Sequence, residues 1–192
     1  NPNPPSNTLV LQNAYFHDNN VPSLFLFSSP QNNGTSQKMV INGCRFENNQ
    51  FTMMAELDCN GLACTQSLEI HNSTFQIQQG TWFSLANLNL SATINVWIDS
   101  SNFTSNVVAL NATQYATHNL TVVNSTFANS TLSVFNMSID TNSSMSINIT
   151  ASQFNQNEAN TSGGVLYMDS PLSDMILTVT DSSFTGSRAG DN

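Results

Sequence analysis

The chain has little charge, and least of the positive sign. Only 8% of its 192 residues are charged, against roughly 25% in ordinary globular proteins. Lys38, Arg45 and Arg188 are its only bases, and 12 acids bring the formal net charge to −9. Duplex nucleic acid is bound through clustered Lys and Arg, so no nucleic-acid partner is expected. Attraction to anionic lipid is disfavoured for the same reason. Long hydrophobic runs are also missing. No stretch approaches 18 apolar residues, so no transmembrane span is expected. The start carries no basic-then-apolar leader, so a secreted form would have lost its signal or would carry it outside this segment. No segment shows a helical period with caps, and many are too rich in β-branched residues and Asn to favour helix.

Cysteine is scarce: Cys44, Cys59 and Cys64. Cys59 and Cys64 bracket CNGLAC, where Asn-Gly supplies a turn, and that spacing suits a short loop disulfide in an oxidising compartment. Two free thiols are the alternative. Cys44 is left over and reads as a small buried hydrophobe. Zinc needs about four closely spaced ligands, and His17 and His71 are not so placed.

What the chain does have is a repeat. Phe16, Phe46, Phe75, Phe103, Phe127, Phe154 and Phe184 are separated by 30, 29, 28, 24, 27 and 30 residues. Each follows an alternating apolar run and a small polar turn, as in LEIHNSTF, LTVVNSTF and LTVTDSSF. A fixed period of this length marks a repeat architecture. After a Pro-rich linker or cap over residues 1–7, residues 8–192 read as one solenoid, a segment of a longer chain because the last coil looks unfinished. Each period holds a first strand ending at the Phe (Leu9–Phe16, Met39–Phe46, Leu68–Phe75, Ile94–Phe103, Leu120–Phe127, Ile147–Phe154, Ile176–Phe184). A second strand follows in six of them (Leu24–Phe27, Thr52–Leu57, Trp82–Leu85, Val107–Leu110, Leu132–Phe135, Val165–Met168). The fold expected is all-β: a right-handed parallel β-helix of about seven coils of 24–30 residues, roughly 30–35 Å long at ordinary strand spacing. One coil cannot bury its own apolar face, so stacking makes the core.

A second column lies three residues after each Phe: Asn19, Asn49, Gln78, Asn106, Ser130, Asn157 and Ser187. Stacked amides can hydrogen-bond from coil to coil, and Asn tolerates the left-handed backbone of a tight corner. The tetrapeptides FHDN, FENN, FTSN and FNQN, with Gly163-Gly164-Val165-Leu166, resemble the repeat of polymorphic outer-membrane-protein passenger domains. They are also similar to other pectin-lyase-like right-handed β-helix proteins. That resemblance covers most of the chain and implies a scaffold that hosts adhesins, enzymes and structural rods. FxxN occurs in four of seven coils and Gly-Gly once.

Sequons for N-glycosylation begin at Asn33, Asn72, Asn89, Asn102, Asn111, Asn119, Asn124, Asn129, Asn136, Asn142, Asn148 and Asn160. That makes 12, where 29 Asn and 45 Ser plus Thr in 192 residues give about seven by chance. A secreted eukaryotic glycoprotein carrying N-linked glycans is the functional reading, with sequons marking surface positions. An Asn/Ser/Thr-rich bacterial adhesin with fortuitous matches is the alternative. Asn72 and Asn124 share a column three before the Phe; they carry sugar only if that column faces outward.

Catalytic chemistry finds little support. Glycosidic hydrolysis needs two close carboxylates, but Glu69, Asp99 and Asp181 stand six, four and three residues before their Phe, in different columns. Asp169 and Asp174 share a loop that suits solvated acids better than calcium. His17, His71 and His118 fall on different coils and read as structural or surface residues. Trp82 and Trp97 would make a sugar platform if exposed, but core or flank packing is expected of both. No catalytic residue, metal site or other cofactor is expected. The leading expectation is an extracellular, non-enzymatic structural glycoprotein whose coils stack head to tail into a fibre or coat. An adhesin or glycan-binding surface protein is second, and a polysaccharide lyase or hydrolase third.

Overall fold

A computed structural model describes residues 6–29, 34–59, 63–87, 92–104, 108–112, 116–139, 142–159, 163–169 and 174–189. It is an all-β parallel solenoid. Seven strands of seven residues form the first sheet in sequence order: Ser6–Gln12, Ser36–Asn42, Thr65–His71, Thr93–Asp99, Thr117–Val123, Ser144–Thr150 and Asp174–Thr180. Every neighbouring pair is parallel and in unbroken register. The second sheet holds the Phe positions and the second strands. A two-stranded sheet, Glu158–Ala159 with Arg188–Ala189, closes the last corner. The seventh rung has no described second strand, so closed turns number fewer than the seven rungs. The first strand starts at Ser6, inside the segment expected to be a linker.

The first strands end sooner than expected. Each stops four residues before its Phe, and the Phe lies second in a new run of the second sheet, as Tyr15–His17, Asn102–Thr104 and Thr126–Ala128 show. In the second and third coils that run continues through the expected second strand, as Arg45–Cys59 and Thr74–Asn87. The cause is a corner three residues before the Phe. Asn13, Gly43, Asn72, Ser100, Asn124, Ala151 and Asp181 all have φ between 47° and 63°, a left-handed bend that turns the chain onto the second face. The N–H groups of the first six bond to the next coil, as Asn72 does to the Asp99 carbonyl at 3.1 Å. A second left-handed corner follows two residues after the Phe, at Asp18, Asn48, Asn129, Gln156 and Gly186. The strand expected over Leu132–Phe135 begins instead at Phe135. Leu132 is exposed, because the Ser130 hydroxyl donates to its carbonyl at 2.6 Å and holds a turn there.

The interior is built of columns. Met39, Leu68, Val96, Leu120 and Ile147 stack in register, beside Ile41, Ile70, Ile98, Val122 and Ile149, and all are buried. The seven Phe rings form one continuous stack, with centroids 4.6–5.1 Å apart and planes within 6°. Such pairs contribute about 0.5–1.5 kcal/mol beyond their buried area. Phe25, Phe83 and Phe135 meet that stack edge-on.

Two polar ladders line the corners from inside. In the amide ladder, Asn49 Oδ1 accepts from the Asn19 N–H at 3.1 Å, and Asn49 Nδ2 donates to the Phe16 carbonyl at 3.0 Å. Asn157 repeats this with the Ser130 N–H and the Phe127 carbonyl, both at 3.1 Å. The side chains of Gln78 and Asn106 lie outside the described residues. The other ladder is hydroxyl. The hydroxyls of Ser73, Ser101, Ser125, Ser152 and Ser182 accept from the N–H of the preceding coil's residue and donate to the carbonyl two residues back. Cys44 stands in this column, buried and free, with its Sγ 3.5 Å from the Asn42 carbonyl.

Candidate functional site

Chemistry-bearing side chains are mostly paired off. Lys38 Nζ lies 2.6 Å from Glu69, Arg45 Nε 2.6 Å from Glu47, and Arg188 2.7 Å from Glu158. All three bases of the chain are therefore held by a glutamate. The Tyr15 hydroxyl donates to Glu47 at 2.6 Å. That bond, with the Arg45 guanidinium, holds the Glu47 carboxyl below its ordinary range. Glu69 stands beside Trp97 and Asp99 beside His71 in the register, so the two acids occupy adjacent columns rather than one. A polar groove at the second corner, lined by Asn129, Thr131, Gln156, Glu158 and Arg188, has one carboxylate, the one already paired. Among the described residues no three His, Cys, Asp or Glu side chains gather closely enough to hold a metal. The Asp169 side chain and residues 170–173 lie outside the described residues, and with them the loop considered for calcium.

His118 is buried on the inner face of its strand, in register between Ile94 and Met145. Neither ring nitrogen has a partner, and burial lowers its pKa to about 4. His17 is exposed, 3.0 Å from Asp18. Cys64 is disulfide-bonded, Cys44 is free, and the side chain of Cys59 lies outside the described residues.

The sequons divide by geometry. Asn33, Asn89 and Asn160 lie outside the described residues, as does the side chain of Asn111. Asn72, Asn102, Asn124, Asn129, Asn136, Asn142 and Asn148 are exposed, and Asn119 is half-buried. None of these eight points inward. Strand alternation explains this. In Asn102-Phe103-Thr104, Asn119-Leu120-Thr121 and Asn148-Ile149-Thr150 the middle residue is buried, so Asn and hydroxyl share the outer face. Asn72 and Asn124 sit at the outward left-handed corner. The described sequons therefore lie on both sheets and both corners.

One feature escaped the sequence reading. Trp97 does not pack in the core or flank; it is 51% exposed on the outer face of the first sheet. The signal was there, because Ile94, Val96 and Ile98 take the inner face and leave Trp97 the outer one. The Trp82 side chain lies outside the described residues. A second exposed apolar surface is the last described rung. Met175, Leu177, Val179 and Phe184 are exposed, although they continue the columns of Met145, Ile147, Ile149 and Phe154, which are buried.

No protein-family model, curated protein or solved structure matches this chain. Among the described residues no helix is long and apolar enough to cross a membrane.

Proposed function

We propose that this protein is a non-enzymatic structural glycoprotein of the extracellular space, a rod whose coils stack end to end into a fibre or surface coat. The observation that carries this reading is the unbroken register of the apolar columns from the first described rung to the last. Leu177, Val179 and Phe184 offer the columns that Leu9, Leu11 and Phe16 begin at the other end. A second copy placed head to tail would continue each column and the backbone ladder. Such a contact is heterologous and does not close on itself, so it yields a filament. Outward sequons on both sheets and both corners support the reading, because sugars there would block lateral strand pairing while leaving the ends clear. Kinship with pectin-lyase-like β-helix proteins is part of this proposal and rests on the FxxN and Gly-Gly motifs alone.

Electron cryo-microscopy of the native material tests it. Head-to-tail coils with sugar density on the outward Asn residues are expected. Separate, bare rods would overturn the reading. A glycan-binding adhesin is the second reading, favoured by the exposed indole of Trp97. A polysaccharide lyase or hydrolase would need an acid pair free of the glutamate–base pairing described above.

A further inference from the structure

We propose that Trp97 is the platform for the first sugar of a glycan on Asn119, an N-acetylglucosamine laid against the indole across one coil. This rests on the reading of the chain as an N-glycosylated protein.

Trp97 is the one indole or phenol side chain on the outer face of the first sheet. The His71 ring braces its edge, with centroids 6.1 Å apart and planes at 64°. Asn119 pairs with Asn95 and Thr121 with Trp97, so Asn119 is the diagonal neighbour of Trp97 on the next coil. Strand spacing and a two-residue rise put that diagonal at about 8 Å, within reach of a sugar ring projecting from an amide. The direction is also set. Asn119 Nδ2 donates to Asn95 Oδ1 at 2.9 Å, which leans the amide nitrogen toward the coil of Trp97. That nitrogen has two hydrogens; one serves Asn95 and the other marks where a sugar is carried.

The chemistry fits N-acetylglucosamine. Its β-pyranose ring presents C–H bonds on one face, and their partial positive charge suits the negative face of an aromatic ring. The Asn95 amide and Thr121 hydroxyl flank the indole as hydrogen-bonding partners. A free polysaccharide would have to offset the loss of its translational freedom with a single aromatic contact. A sugar tethered one coil away has a high effective concentration, so one ring suffices. Asn148 lies in the Trp97 column two coils away, with Thr121 between, which makes its glycan the competing occupant.

The test uses the full chain secreted from a eukaryotic host. Glycopeptide mass spectrometry reads occupancy at Asn119, and an endoglycosidase trims each glycan to one N-acetylglucosamine. Proton–carbon NMR then looks for sugar protons displaced upfield by a ring current. The displaced signals should survive trimming, weaken in Trp97→Phe, vanish in Trp97→Ala and Asn119→Gln, and persist in Asn148→Gln. Trp97→Ala should also lower Tm more when Asn119 carries sugar than in the Asn119→Gln background. An occupied Asn119 without displaced protons would overturn this contact alone. Loss in Asn148→Gln would give the platform to the other glycan and overturn the assignment. A bare Asn119 would overturn it too, and sugar on none of the 12 sequons would sink the glycoprotein reading itself.

Discussion

At the residue scale, the side chain least at ease is His118. It sits in a hydrophobic column with both nitrogens unpaired, and burial holds its pKa near 4 against 6.5 when exposed. Between those values the unfolded chain binds the proton that the folded chain refuses. Stability from this group is therefore complete above about pH 6.5 and is lost as pH falls toward 4, by about 3 kcal/mol. Denaturant titrations across that window should show the loss. His118→Met, which continues the side chains of Ile94 and Met145, should remove this part of the acid sensitivity. It should also stabilise the fold near neutral pH by about 1–2 kcal/mol, because no buried nitrogen is left unsatisfied. Asn157 is the opposite case. Asn157→Ala would strip the Ser130 N–H and the Phe127 carbonyl of their partners, at a cost of at least about 2 kcal/mol, read by chemical denaturation. The Cys44 thiol donates to the carbonyl two residues back, as the serines of its column do, so Cys44→Ser should stay within about 0.5 kcal/mol of the parent. That variant would also end reactivity toward thiol reagents in the unfolded protein, outside the disulfide.

At the element scale, the corners set the shape. Asn, Gly and Asp suit a left-handed backbone, whereas Ala151 at φ 49° does not. An L-residue with Cβ costs roughly 1–2 kcal/mol there, so Ala151→Gly should raise the unfolding midpoint by up to about 1 kcal/mol of stability. The Gly163-Gly164 pair has another cause. A Cβ on Gly164 would stand 2.4 Å from the Asn157 carbonyl oxygen and 2.5 Å from that of Arg188. The strand starting at Leu166 is reached only by passing close under that corner. Gly164→Ala should therefore cost about 2–3 kcal/mol through displaced backbone, which calorimetry would register. The second and third coils run through the same stretch as continuous strands, Arg45–Cys59 and Thr74–Asn87, and need no such pair.

At the scale of the whole molecule, stability and assembly share the same columns. Removing the ring of a mid-stack residue such as Phe103 should cost about 3–5 kcal/mol, because it touches rings in the coils on both sides. On the head-to-tail reading the last described rung meets a second copy, and a charge there acts on assembly. Leu177→Glu, in a half-exposed position, should leave the melting of the single rod nearly unchanged and should shorten or abolish polymers in analytical ultracentrifugation. Polymers of unchanged length would argue against end-to-end stacking through this face.

The repeat, the parallel solenoid, the Phe column and the amide ladder were legible in the chain alone. Each is a one-dimensional period, and a coil stacked on its copy brings equal positions into contact. Alternation within each strand also fixed which face every residue takes, which includes the outward Trp97. Turning points and neighbours between columns emerged only from the folded coils. The first strands stop short of the Phe because seven different residues, from Asn13 to Asp181, adopt the same left-handed bend, and no single residue type announces it. The serine ladder, the lean of Asn119 toward Asn95 and the pairing of each base with a glutamate depend on coil-to-coil register. That register is set by side chains about 30 residues apart meeting in space, a relation that no local stretch of sequence contains.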